Sequence, residues 1–338
     1  MCLNSDLIRE ILDRVDGITL ANAGCVSSDF CSIARQEGLW EEACCSVWPS
    51  TKNTDAKQFI SSSLGGFRNF YASCFPFIDY DQSESSETNS RRLRNLGDAN
   101  YPSDFVCLVD VQYNNKFIYS QVLWGIPAPE DFEGWFCNCS FRIDLINFDE
   151  DHTSPDQLPT IVLGDINKGG EFWGHLKENI RLSCIVINRR TGQAANVSSW
   201  GPLFEQKHWY SDKDSVICFG SILPAHSILP CNIVQCKLVM KCRVLERDHT
   251  SLKITELSMQ MEDIMGTHVN GRNSLLILKR ALYCRRSMNH NKILESCEKY
   301  LREQSTLKEA KIRMEDLLNT FFILTGIITF ASVLYLIF

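Results

Sequence analysis

The last 22 residues of the chain, 317–338, contain no charged side chain, and this segment constrains the fold more than any other. At about 1.5 Å per residue, a helix of this length extends roughly 33 Å, close to the roughly 30 Å hydrocarbon core of a bilayer. Apolar side chains cover all of its faces, which disfavours the alternative, a helix buried in a soluble core. The sequence therefore predicts a single transmembrane helix from Leu317 to Phe338. We expect the body before it to be cytosolic and the membrane to be the endoplasmic reticulum.

The composition of the rest of the chain indicates a globular body that does not bind nucleic acid. With 44% hydrophobic residues, 338 residues suffice for one large or two modest cores. The net charge of −7 argues against a binder of phosphate backbones, which would carry a basic stripe. The sixteen cysteines include no Cys-x-x-Cys pair, and Cys137-x-Cys139 lacks a second pair of ligands. The sequence therefore predicts neither a metal site nor a cofactor.

Residues 3–48 have the pattern of short helices joined by tight turns. One apolar face of the first helix carries Leu7, Ile8, Ile11, Leu12 and Val15. Asp16-Gly17 ends that helix, Thr19 is the candidate cap of the second, and Cys25-Val26-Ser27 opens the third. About 45 residues of this kind bury too little apolar surface to be very stable alone, so some of these side chains are expected to face a partner.

This spacing resembles an F-box, the three-helix module by which substrate receptors dock on the Skp1 adaptor of cullin-based ubiquitin ligases. The resemblance runs from Leu3-Asn4-Ser5-Asp6-Leu7 to Leu39-Trp40. The family usually has Pro where Asn4 stands, Trp where Phe30 stands and often a basic residue where Asp29 stands. The resemblance implies that the module binds the adaptor, and through it cullin, with fourteen positions: Leu3, Leu7, Ile11, Leu12, Val15, Leu20, Cys25, Val26, Ser27, Phe30, Ile33, Ala34, Leu39 and Trp40.

Segments farther along resemble one plant F-box subgroup in particular, to about residue 283. They include Asp16-Gly17-Ile18-Thr19-Leu20, Trp48-Pro49-Ser50, Asn196-Val197-Ser198-Ser199, His208-Trp209, Met261-Glu262-Asp263-Ile264-Met265-Gly266 and His268-Val269-Asn270-Gly271. The resemblance implies that the C-terminal body recruits the protein to be ubiquitinated.

After the F-box at 3–48, we predict a helical bridge at 49–80, a polar linker at 81–104 and a β-rich target-binding body at 105–273. Period-two alternation predicts at least seven strands in the body: 106–113, 116–123, 141–145, 180–186, 215–220, 236–244 and 252–262. The apolar phase of the last strand shifts between Ile254 and Leu257, which indicates a bulge. So many antiparallel strands predict a β-sandwich or a jelly roll.

The body offers aromatic and proline residues for a recognition surface, although large aromatic side chains are more often buried in a core. The candidates are Trp124, Pro127, Pro129, Phe132, Trp135, Phe172, Trp173, Trp200, Trp209 and Tyr210. From Ser274 the period is helical again, which predicts a helical stalk over 274–316 that leads to the transmembrane tail at 317–338.

We therefore predict an α+β fold with an N-terminal three-helix F-box, an antiparallel β-sandwich or jelly-roll-like body, a helical stalk and one transmembrane helix. The predicted function is a substrate-receptor subunit of a Skp1-cullin-F-box ubiquitin ligase, tethered to a membrane. Because no hydrolase, kinase or nucleotide-binding motif is present, we assign no catalytic residue. One alternative is a tail-anchored interaction or lectin-like scaffold without ligase function, and a weaker one is an enzyme with a site in the β body.

Overall fold

The structure is a computed structural model that describes residues 5–79, 101–125, 136–146, 160–164, 170–207, 214–246 and 250–337. Within these ranges the helices are α1 (Ser5–Leu12), α2 (Gly17–Ala23), α3 (Ser28–Ala34), α4 (Glu37–Val47), α5 (Thr54–Ser63), α6 (Phe67–Cys74), α7 (Gly170–Asn179), α8 (Gly271–Ala281) and α9 (His290–Ile337). Two short 3-10 helices lie at Pro49–Lys52 and Pro102–Asp104.

The strands form three antiparallel sheets. In chain order they are β1 (Phe77–Ile78), β2 (Phe105–Tyr113), β3 (Lys116–Trp124), β4 (Arg142–Asp144), β5 (Thr160–Gly164), β6 (Ile180–Asn188), β7 (Gln193–Asn196), β8 (Phe204–Lys207), β9 (Asp214–Pro224), β10 (Ile233–Glu246), β11 (Thr250–Asp263) and β12 (Arg286–Ser287). The four-stranded sheet has the order β3-β2-β6-β7, and the six-stranded sheet has the order β4-β11-β10-β9-β8 with β5 also paired to β11. The third sheet pairs β1 with β12.

The predicted α+β fold, with its helical N-terminal module, antiparallel β body and long C-terminal helix, is confirmed. All seven strands expected from the alternation are present. The expected bulge is also present, because the β10–β11 register passes from Lys241 opposite Glu256 to Cys242 opposite Ile254, which leaves Thr255 as the extra residue. The sequence signal failed for β1, β5, β7, β8 and β12, which have two to five residues each, because so short a segment shows too little alternation.

The main hydrophobic core lies between the two larger sheets, so the body is a β-sandwich. The four-stranded sheet contributes side chains such as Val109 and Cys184, and the six-stranded sheet contributes side chains such as Phe219, Leu238 and Met259, all fully buried. The remaining apolar positions of β2 and β6 point away from this core. The four-stranded sheet is therefore apolar on both faces and has to be covered on its outer face as well.

The N-terminal helices cover that outer face. Val106 and Leu108 of β2, with Ile185 and Ile187 of β6, share one buried cluster with α4 and α6. Trp48 is central to this cluster, because its ring packs against Phe70 and Tyr71 at centroid distances of 5.6 and 5.5 Å. The predicted three-helix range holds four helices, since α4 begins at Glu37, just before Leu39 and Trp40. This fourth helix connects the module to the body.

The structure describes only part of the predicted linker, and it places the start of the predicted stalk in the body. Of the predicted linker 81–104, residues 81–100 lie outside the described residues, and Pro102–Asp104 forms a 3-10 helix. The start of the predicted stalk belongs to the body instead, because Leu275, Ile277 and Leu278 of α8 are buried in the main core. The sequence could not show this, since an apolar helix face predicts burial without naming the surface that covers it.

The long helix α9 lies in two environments. Its first part docks on the six-stranded sheet, where Ile293, Cys297 and Tyr300 form a buried cluster with Ile222 and Ile233. The Tyr300 hydroxyl donates to the backbone oxygen of Glu262 at 3.1 Å. From Ser305 to Ile337 every residue is exposed. This helix is long and apolar enough to cross a membrane, and none of its most apolar window is buried, so the alternative of a helix hidden in the core does not hold.

Asp110 is a buried joint between the sheet and the helical layer. One carboxylate oxygen accepts the Ser50 backbone N–H at 2.8 Å and the Ser120 hydroxyl at 2.6 Å, and the other accepts the Ser50 hydroxyl at 2.6 Å. Burial raises the pKa of this carboxyl, and the hydrogen bonds from Ser120 and Ser50 oppose that effect. The side chain therefore fixes the 3-10 helix at Pro49–Lys52 on β2.

Arg286 is a second joint, and it connects three elements. Its guanidinium donates to the backbone oxygens of Ser73 in α6, Ala194 in β7, Ala281 and Leu282 at the end of α8, and Cys284. The carbonyl ends of α6 and α8 carry the negative end of a helix dipole, which favours a cation there. Burial lowers the pKa of Arg286, yet a guanidinium stays charged.

We predict that Asp110→Ala lowers the free energy of unfolding by about 2 kcal/mol, because the two buried donors of Ser50 and the Ser120 hydroxyl lose their acceptor. Asp110→Asn keeps an acceptor oxygen and removes a poorly solvated charge, so its cost should be smaller. Since the pKa of Asp110 is raised, ionisation costs stability as the pH rises above about 4, and the asparagine variant should gain on the wild type over that range. Denaturant unfolding of the full chain in detergent at acidic and neutral pH checks this; equal stability of the two variants would contradict it.

For Arg286→Met we expect a loss of about 3 kcal/mol or more in the free energy of unfolding, because carbonyls on three elements lose a charged donor. Arg286→Lys keeps the charge but has one donor group in place of the planar fork, so it should recover only part of the loss. The same unfolding measurement applies. A lysine variant as stable as the wild type would show that charge alone, and not the fan of hydrogen bonds, fixes the three elements.

Candidate adaptor-binding surface

Helix α1 divides its apolar residues between the core and the solvent. Ile8 and Leu12 are each only 3% exposed and pack against the helical core, whereas Leu7 and Ile11 are 47% and 50% exposed. Residues four apart lie on the same side of a helix, so Leu7 and Ile11 are neighbours on the exposed face of α1. An exposed leucine and isoleucine next to each other on so small a module indicate a surface that a partner covers.

The segment between α2 and α3 adds to this surface. Val26 is 72% exposed in the turn before α3, and Cys25 beside it is exposed as well. Ser27 begins α3 by accepting the Phe30 backbone N–H on its hydroxyl at 3.3 Å. Phe30 itself is partly buried against the helical core. Because α3 packs on α1, the cap at Ser27 also determines where Val26 lies relative to α1.

The cap of α2 differs from the prediction. Asp16, not Thr19, is the N-cap, because its carboxylate accepts the Thr19 backbone N–H at 2.7 Å. That hydrogen bond holds the pKa of Asp16 below its ordinary value. Gly17 follows the cap against the Tyr71 ring, and a Cβ at that position would meet the ring at 2.3 Å. The Asp16-Gly17 pair therefore starts α2 and lets it approach α6 closely, in addition to following α1.

The structure distributes the fourteen positions named from the F-box resemblance over three environments. Six are buried: Leu12, Leu20, Ile33, Ala34, Leu39 and Trp40. Five are exposed: Leu7, Ile11, Cys25, Val26 and Ser27. Val15 and Phe30 are partly buried, and Leu3 lies outside the described residues. The buried positions support the module from inside, and only the others can contact a partner.

Two residues of this region were missing from the prediction of site positions. Ile8 is part of the supporting core, and the period of α1 had already placed it on the apolar face. Ile18 is 38% exposed beside the cap of α2, and its only sequence signal was an apolar residue directly after a turn. The exposed apolar positions Leu7, Ile11 and Val26 are called the apolar stripe below.

The charges around the apolar stripe are exposed and weakly paired. Arg14 and Glu10 form an ion pair at 2.8 Å, but both side chains are largely in solvent, where such pairs contribute little. Asp29, which stands where the F-box pattern often has a basic residue, lies in the first turn of α3. A carboxylate there is favoured by the positive end of the helix dipole. The helix dipole therefore explains an acidic residue at position 29 without any contact to a partner.

Two segments of the body that resemble the plant subgroup form hydrogen-bonded turns. The Asn196 side chain accepts the backbone N–H of Ser198 at 3.0 Å and of Cys184 at 3.3 Å, and its amide donates to the Ser183 hydroxyl at 3.2 Å. The Ser221 hydroxyl donates to the backbone oxygen of Val197 at 2.9 Å, which connects the two large sheets. At the other segment, Asn270 caps α8 by accepting the Asn273 backbone N–H at 2.9 Å.

Of the candidate recognition aromatics, the structure describes the surroundings of two. Trp124 is 42% exposed, with its ring edge-on to Phe59 at 5.9 Å and the Arg189 guanidinium 5.9 Å above it. Trp200 is half-buried and has a left-handed backbone with φ of 65°. The side chains of Phe172 and Trp173 lie outside the described residues, as do Pro127, Pro129, Phe132, Trp135, Trp209 and Tyr210.

The described cysteines are free thiols, and those in the sandwich core are unreactive. Burial raises the pKa of Cys107 and of Cys236 to about 12, so both remain protonated and behave as small apolar side chains. Among the residues with described positions, no group of three or more His, Cys, Asp or Glu side chains is arranged to hold a metal ion.

Comparison with known proteins identifies the helical module. An F-box domain model matches residues 1–42. Over 318 residues the chain is 30% identical to F-box protein At3g44326 of Arabidopsis thaliana, covering 93% of this chain and 82% of that protein. Identity to F-box protein At2g27310 of the same plant is 28% over 333 residues, covering 96% and 92%.

A shorter match is to a rice protein. Over 71 residues, 21% of this chain and 34% of the other, the identity to F-box protein GID2 of Oryza sativa subsp. japonica is 39%. No solved structure matches the chain. Because the Arabidopsis matches extend through the β-sandwich as well as the helical module, the chain belongs to the plant F-box protein family.

Proposed function

We propose that this protein is a substrate-receptor subunit of a Skp1-cullin-F-box ubiquitin ligase that binds a Skp1-type adaptor through its F-box. The observation that carries the proposal is the apolar stripe, which stays exposed while the neighbouring apolar residues of the same helices are used in the core. Apolar side chains in this arrangement provide a docking surface of the kind that anchors protein interfaces. Family membership supports the same partner.

In this role the protein contributes position and not covalent chemistry. Holding a target close to an activated ubiquitin turns an encounter between two molecules into a step within one complex, and such an arrangement can accelerate a reaction greatly. The proposal therefore assigns no catalytic residue. It does require that the target-binding body and the F-box keep a fixed relative position, and the joints at the buried Asp110 and the half-buried Arg286 support this requirement.

We further propose that α9 tethers the complex to a membrane, with the endoplasmic reticulum as the expected one. The last buried residue of the helix is Gln304, and the uncharged segment begins at Leu317. Twelve residues, 305–316, separate them, so the two lie about 20 Å apart along the helix, and this part is rich in charge, as suits a segment in water. The tether would thus hold the body at a defined distance from the bilayer.

The adaptor contact can be tested with Ile11→Lys and Val26→Lys in the full chain, solubilised in detergent. Each places a charge in the apolar stripe, and we expect each to weaken adaptor binding at least tenfold, about 1.4 kcal/mol. Binding of purified Skp1-type adaptor, measured by calorimetry, gives the answer. Both positions are largely exposed, so the fold should survive, whereas Leu12 is buried and a charge there would damage the core.

The matched control is Met265→Lys, which puts the same charge on an exposed apolar residue in the turn after β11. It should bind the adaptor as the wild type does. If the wild type does not bind, or if Met265→Lys weakens binding as much as Val26→Lys, the proposed adaptor surface is wrong and the scaffold alternative becomes the leading one.

For the membrane tether we predict that a chain ending at Asp316 is recovered in the soluble fraction, while the full chain stays in membranes after alkaline carbonate extraction. If the chain is bound only to the membrane surface, carbonate will release the full chain as well, and this result would contradict the tether. As a matched control, Ile327→Lys with Ile328→Lys leaves the length unchanged but places two charges at the centre of the span, each costing about 3 kcal/mol in insertion. Microscopy of the tagged full chain with an endoplasmic reticulum marker decides which membrane is used.

A further inference from the structure

A cavity of about 1050 Å³ lies where the F-box, the four-stranded sheet and α9 meet. Residues at the ends of several elements line it, among them Ile18 of α2, Phe77 of β1, Arg181 of β6, Trp200 after β7 and Leu301 of α9. A volume of this size is comparable to that of known ligand sites, which are mostly apolar with a few polar groups. The helical module, the body and α9 all contribute to its walls.

The register of the sheet explains why this surface is uncovered. Positions two apart on a strand share a face, so Gln112 lies on the same face of β2 as Leu108 and Asp110, the face that the helical layer covers. Gln112 is paired with Arg181 on β6 and with Phe117 on β3. The helical layer reaches the row of Asp110 through Ser50 and ends there, so the next row, Phe117, Gln112 and Arg181, forms one wall of the cavity.

The cavity lining carries two carboxylates, Asp16 and Glu298, and two cations, Lys177 and Arg181, and the two cations are neighbours. Its two carboxylates are already engaged: Asp16 caps α2, and Glu298 lies 3.6 Å from Arg302. Lys177 and Arg181 form no ion pair within the described part of the chain, and the Arg181 guanidinium donates only to the backbone oxygens of Lys177 and Ile180. A guanidinium with donors left over beside a cavity favours a carboxylate ligand.

Trp200 provides an apolar surface next to these cations. Its backbone pairs with Leu182, the residue after Arg181, and the Leu182 N–H donates to the Trp200 backbone oxygen at 2.9 Å. The left-handed conformation of Trp200 is costly for a bulky residue, and such strain concentrates at binding sites. Within the described residues, its side chain belongs to none of the three buried hydrophobic clusters.

We propose that this cavity binds an acidic peptide segment of the target protein, with a carboxylate at Lys177 and Arg181 and an apolar side chain against Trp200. The inference rests on the proposed function, because it takes the occupant to be the protein presented for ubiquitination. It explains why the cavity lies between the F-box and the body, since a segment bound there is held close to the adaptor. Charge complementarity and the apolar walls select the occupant.

The test uses the full chain in detergent and two pools of short fluorescent peptides. Variable positions in the acidic pool are Asp, Glu, Phe or Leu, and in the neutral pool Asn and Gln replace the acids. Fluorescence anisotropy should show affinity about tenfold higher for the acidic pool. Arg181→Met and Lys177→Met should each reduce that preference about tenfold, and Trp200→Gly should weaken both pools, because the apolar wall is lost while glycine suits the left-handed backbone.

Lys52→Met, which removes an exposed cation from the 3-10 helix at Pro49–Lys52, is the matched control and should leave both affinities unchanged. Equal affinity for the two pools overturns the inference. So does acidic-pool binding that Arg181→Met and Lys177→Met do not alter, since the peptides would then bind elsewhere. Thermal unfolding of each variant confirms that the fold is retained.

Adaptor binding by the same preparations separates the two proposals. None of the three cavity variants changes the apolar stripe, so all should bind the adaptor as the wild type does. Adaptor binding without selective peptide binding leaves the proposed function intact and overturns the cavity inference. Selective peptide binding without adaptor binding keeps the cavity as an acidic-peptide site and overturns the ligase role.

Discussion

The Arg286 guanidinium is the contact on which the arrangement of the domains depends. It is half-buried and has no carboxylate partner among the described residues. It donates instead to backbone oxygens of α6, β7 and the end of α8, which come from the helical layer, the four-stranded sheet and the helix that completes the sandwich core. A half-buried charge satisfied in this way has few alternative geometries, because any shift of one element leaves a donor or a carbonyl unpaired. The position of the F-box on the body is therefore well defined.

That fixed position also fixes where the apolar stripe lies relative to the cavity. The apolar stripe and the cavity are on a helical layer and a sheet that share the Trp48 cluster and the Asp110 joint, so the distance between them is set by packed side chains and not by a flexible linker. For a protein whose proposed role is to hold a target near an enzyme, orientation matters as much as affinity. Buried polar joints of this kind stabilise less than apolar packing of equal volume would, but they favour one geometry.

The sequence predicted the fold well where residues alternate and poorly where charged residues are buried. Strands such as β6 and β10 followed from period-two patterns, and even the bulge at Thr255 was visible as a change of phase. By contrast, the sequence did not identify the roles of Asp110 and Arg286, because charged residues are mostly exposed and nothing local shows which tertiary surface will cover them. At the F-box, periodicity identified the apolar face of α1. It could not separate Leu7 and Ile11 from Ile8 and Leu12, since both pairs are apolar and only packing against α3 distinguishes them.

The composition of helix α9 changes along its length, in three parts. Up to Gln304 its apolar residues recur at helical spacing and one face is buried on the sandwich. Between Ser305 and Asp316 charged residues surround the helix, and ion pairs one turn apart, such as Arg313 with Glu309 at 3.4 Å, give modest support to an unpacked segment. Beyond Leu317 there is no charge to solvate. Because the helix continues through all three parts without a break, the docked end at Tyr300 would orient the whole body relative to the proposed membrane.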